Sequence, residues 1–441
     1  MPSILLAVAC ALQTHRSLPP LPKSEASELS KSLAAALADP GNKARSKLAS
    51  VARDWQAKYD FASLVAALRA GPDHGRGDPE PRGKGKHAEK LTRYGSVLYG
   101  FSVTLDDVVY RYGVDIPSKY DARKPVPLLI DPGHGSATAE NEEGKAGYLD
   151  FYRGQANAAG LSHALIARTE IIEQIGTGGV RGAKPEDQVA AVFDALFRDL
   201  CSRFAVDLDH VWVSGLSQTG FWSWELGHQR ADRFSGIAPM SAVSIQQRFY
   251  LPNFQNLSIY ILHGDQDPTC PVAQPRATSK ELEHLGARTS YREIAGAAHD
   301  IGVWSHLNEG LKWLAERPRD PYPKRIAKNL QTTLQPWCYW ARIDQIDRRG
   351  PGEAGSEPTA TFAAQIDGQR IRIDSKGVKK VTLALASELV DLTQPVVVTW
   401  NGKEEFAGLP VRDFARALET ALEKVDWRGT FEAFVTVSGG K

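Results

Sequence analysis

A serine attacks a carbonyl only when its hydroxyl is exposed and a base stands within reach. One stretch of this chain offers the first condition. From His210 to Trp222 the residues run His-Val-Trp-Val-Ser-Gly-Leu-Ser-Gln-Thr-Gly-Phe-Trp, passing from β-forming residues through Gly215 to Ser217 and on into a helical pattern. A strand that turns sharply into a helix at a serine is a nucleophile elbow. The strained turn projects the hydroxyl, and the next amide, that of Gln218, points to where an oxyanion would form. The usual pattern is G-x-S-x-G, whereas here Thr219 takes the last position and Gly220 follows it. A β-branched residue at this point is expected to crowd the turn and alter the exposure of Ser217.

The hydroxyl also needs a base, and the base needs a partner that fixes its tautomer and stabilises its cation. In sheets of this kind the chain order is serine, acid, histidine. Ser258 to His263 reads as a strand that ends in His263-Gly264-Asp265-Gln266-Asp267, followed by Pro271-Val272 and a helix. Asp267 then falls in the loop beyond the carboxyl end of that strand, where ligand sites gather, with Asp265 as its competitor. The base candidate is His299 in Ala297-Ala298-His299-Asp300, directly after the last strand; His306, inside a helical stretch, is the fallback. Upstream, Val126 to Ile130 runs into Asp131-Pro132-Gly133-His134-Gly135. Small backbone of this kind lets a main chain approach a substrate carbonyl, although read alone it is only a tight turn. His134 has no second histidine or carboxylate near it at metal-ligand spacing, so no metal is expected there.

These residues need a scaffold, and hydrophobic periodicity supplies one. Strands are expected at 96–105, 108–116, 127–131, 163–169, 210–214, 235–239, 258–262 and 289–294, with helices near 146–159, 187–205, 218–230, 274–286 and 303–316. Strands separated by helices imply a mostly parallel sheet covered on both faces, here opening with an antiparallel pair that lies too close in sequence for a crossover. Ahead of this unit, residues 18–72 form a helical lead-in, with helices at Ser27–Leu37 and Leu48–Leu68, and residues 73–92 form a glycine-rich basic linker. Beyond Pro318, residues 319–441 read as a separate β-rich module, a sandwich, with hairpin turns at Asp367-Gly368 and Asn401-Gly402 and one helix from Val411 to Lys424. Trp222 and Trp224, two residues apart on the helix after the serine, cannot face the same way. One is expected in the core, with Trp222 a candidate wall of a substrate cleft.

Taken together, the elbow, the acid loop and the histidine loop, with Val114-Asp115-Ile116-Pro117 before the third strand and Asp232-Arg233-Phe234 after the elbow, resemble the α/β-hydrolase superfamily. The resemblance is strongest to its feruloyl esterase, polyhydroxyalkanoate depolymerase and dienelactone hydrolase-like branches, and it covers residues 93–318. It implies an eight-stranded α/β-hydrolase sheet and hydrolysis of carboxylic esters through an acyl-enzyme, with no metal or organic cofactor. It further implies Ser217 as nucleophile, His299 as base, Asp267 as its orienting acid, and the amides of His134 and Gln218 as oxyanion donors, with Gly133 and Gly135 lining the substrate. The Pro132-Gly133 pair departs from the His-Gly usual in that loop.

Composition narrows the alternatives. Lys and Arg total 53 against 52 Asp and Glu, which removes the basic footprint of a nucleic-acid binder. Cys10, Cys201, Cys270 and Cys338 are scattered without C-x-x-C spacing, so neither a disulfide framework nor a zinc site is expected. The apolar run from Ile4 to Leu12, with small residues at Ala7 and Ala9, is too short to span a bilayer. It reads as a signal peptide within residues 1–17, hence a secreted or periplasmic protein; an ordinary N-terminal helix in a cytoplasmic protein is the alternative, and a lipidated Cys10 the weaker one. Arg76-Gly77-Asp78 is too short to carry an adhesion motif, and the glycine-rich Gly176–Lys184 lacks the Gly-Lys-Ser/Thr of a phosphate cradle. Two other functions remain open: a prolyl oligopeptidase-type peptidase, against which the lack of propeller repeats counts, and a silent hydrolase fold that binds carbohydrate through its β module.

Overall fold

The computed structural model describes residues 18–39, 43–75, 79–85, 88–133, 141–171, 185–242, 247–347 and 358–439. Residues 1–17, which hold the expected leader, and the 76–78 and 176–184 motifs lie outside that set.

Among the described residues three helices come first: α1 (Lys23–Ala38), α2 (Lys43–Lys58) and α3 (Phe61–Ala70). The single helix expected over 48–68 is two, because Asp60 turns the chain and caps α3 by accepting from the Ser63 amide at 2.9 Å. The glycine-rich stretch read as a linker is tied down: Arg82 pairs with Asp199 at 2.8 Å, and Glu89 meets the buried Arg203 at 2.8 Å.

The main sheet follows. Its strands are β1 (Thr92–Tyr94), β2 (Val97–Leu105), β3 (Val108–Asp115), β4 (Val126–Asp131), β5 (Leu165–Thr169), β6 (Val206–Leu216), β7 (Gly236–Met240), β8 (Ser258–Gly264) and β9 (Arg288–Ile294). They lie in the order β1-β2-β3-β5-β4-β6-β7-β8-β9. Pairing is antiparallel from β1 to β3 and between β3 and β5, and parallel from β5 to β9. Among the described residues the sheet therefore has nine strands where eight were expected. The ninth is the short β1, which a tight turn at Gly95 folds back onto Val97–Tyr99. Every residue of β5, β7 and β8 is buried, as a sheet covered on both faces requires. The covering helices include α4 (Glu142–Ala158), α5 (Pro185–Arg203), α6 (Gln218–Gln229), α7 (Ala273–His284) and α8 (Leu307–Ala315). The last expected helix is broken, since a one-turn helix at Ile301–Trp304 precedes α8.

Among its described residues the C-terminal module has two five-stranded sheets. One holds β10 (Arg325–Leu330), β13 (Ala360–Asp367), β14 (Arg370–Lys376), β16 (Val396–Trp400) and β17 (Lys403–Gly408). The other holds β11 (Trp337–Cys338), β12 (Ala341–Ile346), β15 (Val378–Leu385), β19 (Ala433–Ser438) and β18 (Val411–Arg412). Alternation places Phe362, Ile371, Ile373, Val381, Leu383 and Val398 in a shared core, which is the expected sandwich-like arrangement. Helix α9 (Phe414–Lys424) starts three residues later than expected and buries Phe414, Ala417, Leu418, Ala421 and Leu422, one face at helical spacing. The lead-in helices join it there: Gln56 of α2 bonds the Phe414 amide at 2.6 Å, and Phe61 meets Phe414 edge-on at 6.3 Å. No described helix is long and apolar enough to cross a membrane.

Candidate active site

The carboxyl ends of β6, β7 and β8 are bonded level with one another. The Ser217 amide donates to the Met240 carbonyl at 2.9 Å, and the Ser241 amide to Leu262 at 2.9 Å. Ser217 sits between β6 and α6 at φ +54°, ψ −117°. For a non-glycine residue that backbone stores roughly 1–3 kcal/mol of strain and persists only when its surroundings over-determine it. The surroundings are visible. The Thr219 hydroxyl accepts from the Leu216 amide at 2.7 Å and donates to the Leu216 carbonyl at 2.9 Å, closing the turn from inside. A Cβ on Gly215 would meet that hydroxyl at 2.4 Å, and one on Gly220 would meet the Ala242 Cβ at 2.5 Å. The glycine that lets the helix approach β7 is thus Gly220, one place later than usual. Thr219 is buried and turned inward, while Ser217 remains partly exposed. The crowding expected from Thr219 is absorbed by the turn.

The acid and histidine loops are sewn together. The Asp265 amide donates to Ile294 at 3.1 Å and the Gln266 amide to Ala297 at 3.0 Å. Gly264 admits this approach, since a Cβ there would lie 2.2 Å from the Ala297 oxygen. The result is a hydrogen bond of 2.8 Å between His299 Nδ1 and Asp267 Oδ2, with the Asp267 side chain fully buried and that of His299 17% exposed. Asp267 Oδ1 accepts from the amides of Thr269 at 2.9 Å and Cys270 at 2.8 Å. Burial alone would push this carboxyl up, but the Cys270 amide, His299 and the Thr269 amide outweigh it and hold Asp267 below the ordinary carboxylate range. Asp265 instead braces the histidine loop, its Oδ1 accepting from the Gly296 amide at 2.7 Å. His306 lies at the start of α8, bonded to Glu309 at 2.7 Å.

One residue of this cluster was not singled out by sequence reasoning. His263, fully buried, donates from Nε2 to the Cys270 carbonyl at 2.8 Å and so pins the turn that presents Asp267. Burial lowers its pKa, which keeps the ring neutral and suited to that single donor role. The signal was present in the His263-Gly264 pair that opens the acid motif.

Of the proposed oxyanion loop, Gly133 is described and His134 and Gly135 lie outside the described residues. Gly133 takes φ +86° against the Thr169 carbonyl, and its amide donates to Asp131 Oδ1 at 3.1 Å. Asp131 in turn is held by Arg168 at 2.6 Å. This anchors the entry to the loop on β5. Gln218 opens α6 and is exposed. Trp222 and Trp224 are 8% and 1% exposed and both belong to the core. Helix α6, which carries them, is buried on most of its circumference.

No family model matches the chain, and no curated protein does. Solved structures do. A thermostable esterase aligns at 19% identity and TM-score 0.42 over 51% of this chain and 64% of its own. Thermogutta terrifontis esterase 2 aligns at 14% and 0.39 over 51% and 97%, and Est1E from Butyrivibrio proteoclasticus at 14% and 0.37 over 49% and 97%. The chain spans under two thirds of the first of these. The strand order, the level carboxyl ends of β6 to β8 and the elbow at Ser217 give the fold without their help: residues 92–315 have the α/β-hydrolase fold.

Proposed function

We propose that the protein is a serine hydrolase of carboxylic esters, with Ser217, His299 and Asp267 as its triad. The observation that carries this reading is the Asp267–His299 hydrogen bond at the sheet edge where Ser217 stands in a strained elbow. Ser217 Oγ attacks the ester carbonyl while His299 Nε2 takes its proton. Asp267 keeps the Nδ1–H tautomer and stabilises the imidazolium. The amides of Gln218 and His134 hold the tetrahedral oxyanion. Collapse expels the alcohol, protonated by His299, and leaves an acyl-serine. Water, deprotonated by the same imidazole, then releases the acid. Small acetyl or aromatic esters, or ester-bearing fragments of polymers, are the substrate class. The test is labelling with a fluorophosphonate, peptide mass mapping, and p-nitrophenyl acetate hydrolysis by wild type and Ser217→Ala. Label on Ser217 and loss of turnover in the variant are expected. No label, with turnover unchanged in Ser217→Ala, would sink the mechanism.

A further inference from the structure

Cys270 takes no part in that chemistry, yet its thiol stands beside it. Among the described residues, one group of three potential metal ligands gathers within 4.8 Å: a carboxylate oxygen of Asp267, the sulfur of Cys270 and an imidazole nitrogen of His299. The geometry points to an inhibitory site for a thiophilic divalent cation, zinc first, held by Asp267, Cys270 and His299.

The donor set is one that zinc takes, with bonds of about 2.0–2.3 Å and a tetrahedral arrangement. In such a site donors stand roughly 3.3–3.8 Å apart, so the 4.8 Å limit closes by about 1 Å while the 2.8 Å Asp267–His299 edge opens. The turn already holds the Cys270 backbone in place: its amide is bonded to Asp267 and its carbonyl to His263. His299 and Cys270 are partly exposed, so a cation has an entry path and a water can complete the coordination. A carboxylate and a thiolate neutralise the two positive charges.

Cys270 loses its thiol proton to solvent as the Zn–S bond forms. His299 offers the Nδ1 lone pair, so its one ring proton moves to Nε2. An imidazole protonated at Nε2 cannot accept the Ser217 proton, and turnover stops. This last consequence rests on the triad reading; the binding does not.

The experiment uses the full chain in a Cys10→Ser background, stripped with a chelator. Cys201 and Cys338 are buried and do not compete. Zinc is titrated against p-nitrophenyl acetate hydrolysis, and Co2+ binding is followed by its thiolate-to-metal charge-transfer absorption. Zinc is expected to inhibit, reversibly with chelator. Cys270→Ser, measured against its own metal-free rate, should need about tenfold more zinc or higher for half-inhibition. The cobalt band should appear in the parent and in Ser217→Ala and vanish in Cys270→Ser. Absence of the band from the parent, or inhibition of Cys270→Ser at the same zinc concentration, overturns the site. The band needs no ester turnover, so it decides the metal site even if the hydrolase reading fails.

Discussion

The carboxyl edge of the nine-stranded sheet and the junction between that sheet and the C-terminal module both bury carboxylates, but they satisfy them differently. At the edge, Asp267 is held by two backbone amides and one imidazole. At the junction, Asp426 receives a two-pronged Arg319 at 2.6 and 2.9 Å, and Asp232 pairs with Lys424, all with side chains under a tenth exposed. A guanidinium is a permanent charge, and it fixes geometry by cancelling the carboxylate. Amides fix geometry while leaving the negative charge available to the imidazole, which in the proposed mechanism becomes a cation during reaction. On that proposal the edge develops charge, whereas the junction locks it.

That contrast predicts opposite phenotypes. Ser217→Ala should lower ester turnover by about four orders of magnitude or more with the unfolding midpoint unchanged. Asp267→Asn should cost about 10⁴-fold in kcat, whereas Asp265→Asn, which only loosens the brace at Gly296, should cost under roughly tenfold. Equal losses in the two asparagine variants would reassign the acid.

At the junction the effect moves from rate to stability. Asp426→Ala strands Arg319 with Asp209 at 3.2 Å as its remaining carboxylate. Breaking a buried pair in this way should cost about 3–5 kcal/mol in urea unfolding, with turnover per folded molecule retained. A loss below about 1 kcal/mol would mean that the junction does not lock anything. Lys328 gives a pH test of the same region. It is buried with Nζ donating to the Trp337 carbonyl at 2.6 Å, and burial pushes its pKa down to about 8 from 10.5. Below pH 8 both the folded and unfolded states hold the proton. Between 8 and 10.5 only the unfolded state does, so stability should rise with pH across that window, by roughly 3 kcal/mol in all. Urea midpoints should show the rise in wild type and lose it in Lys328→Met. A flat wild-type profile over this window refutes the assignment.

The two regions also differed in how far the sequence disclosed them. The edge was legible because its parts follow chain order and local pattern: Gly215 before Ser217, His263-Gly264 before Asp267, small residues before His299. Each motif sits at a strand end, and hydrophobic periodicity places strand ends well. The junction was not legible, because Asp232 and Lys424 lie 192 residues apart and Arg319 and Asp426 lie 107 apart; nothing local marks such pairs. The same holds for the trio at Cys270, whose histidine arrives from another loop. Smaller differences have local causes. The break between α2 and α3 was signalled by the Asp60 cap, and the extra strand β1 by the turn at Gly95.

Thr219 is where local pattern and structure disagree most sharply, and it supplies the finest test. The sequence pattern marks it as an intruder, yet its hydroxyl makes two hydrogen bonds to Leu216. Thr219→Ser retains both bonds and should change stability by less than about 0.5 kcal/mol. Thr219→Val keeps the shape, removes the hydroxyl and leaves the Leu216 amide without its acceptor, at about 1–2 kcal/mol. Thr219→Gly restores the usual pattern but should be no better than valine, since it loses the same bonds and adds backbone freedom at the start of α6. If instead glycine proves more stable and faster in ester hydrolysis than wild type, then Thr219 strains the elbow and the edge is less well braced than its hydrogen bonds imply. Unfolding in urea and p-nitrophenyl acetate turnover of the three variants distinguish these outcomes.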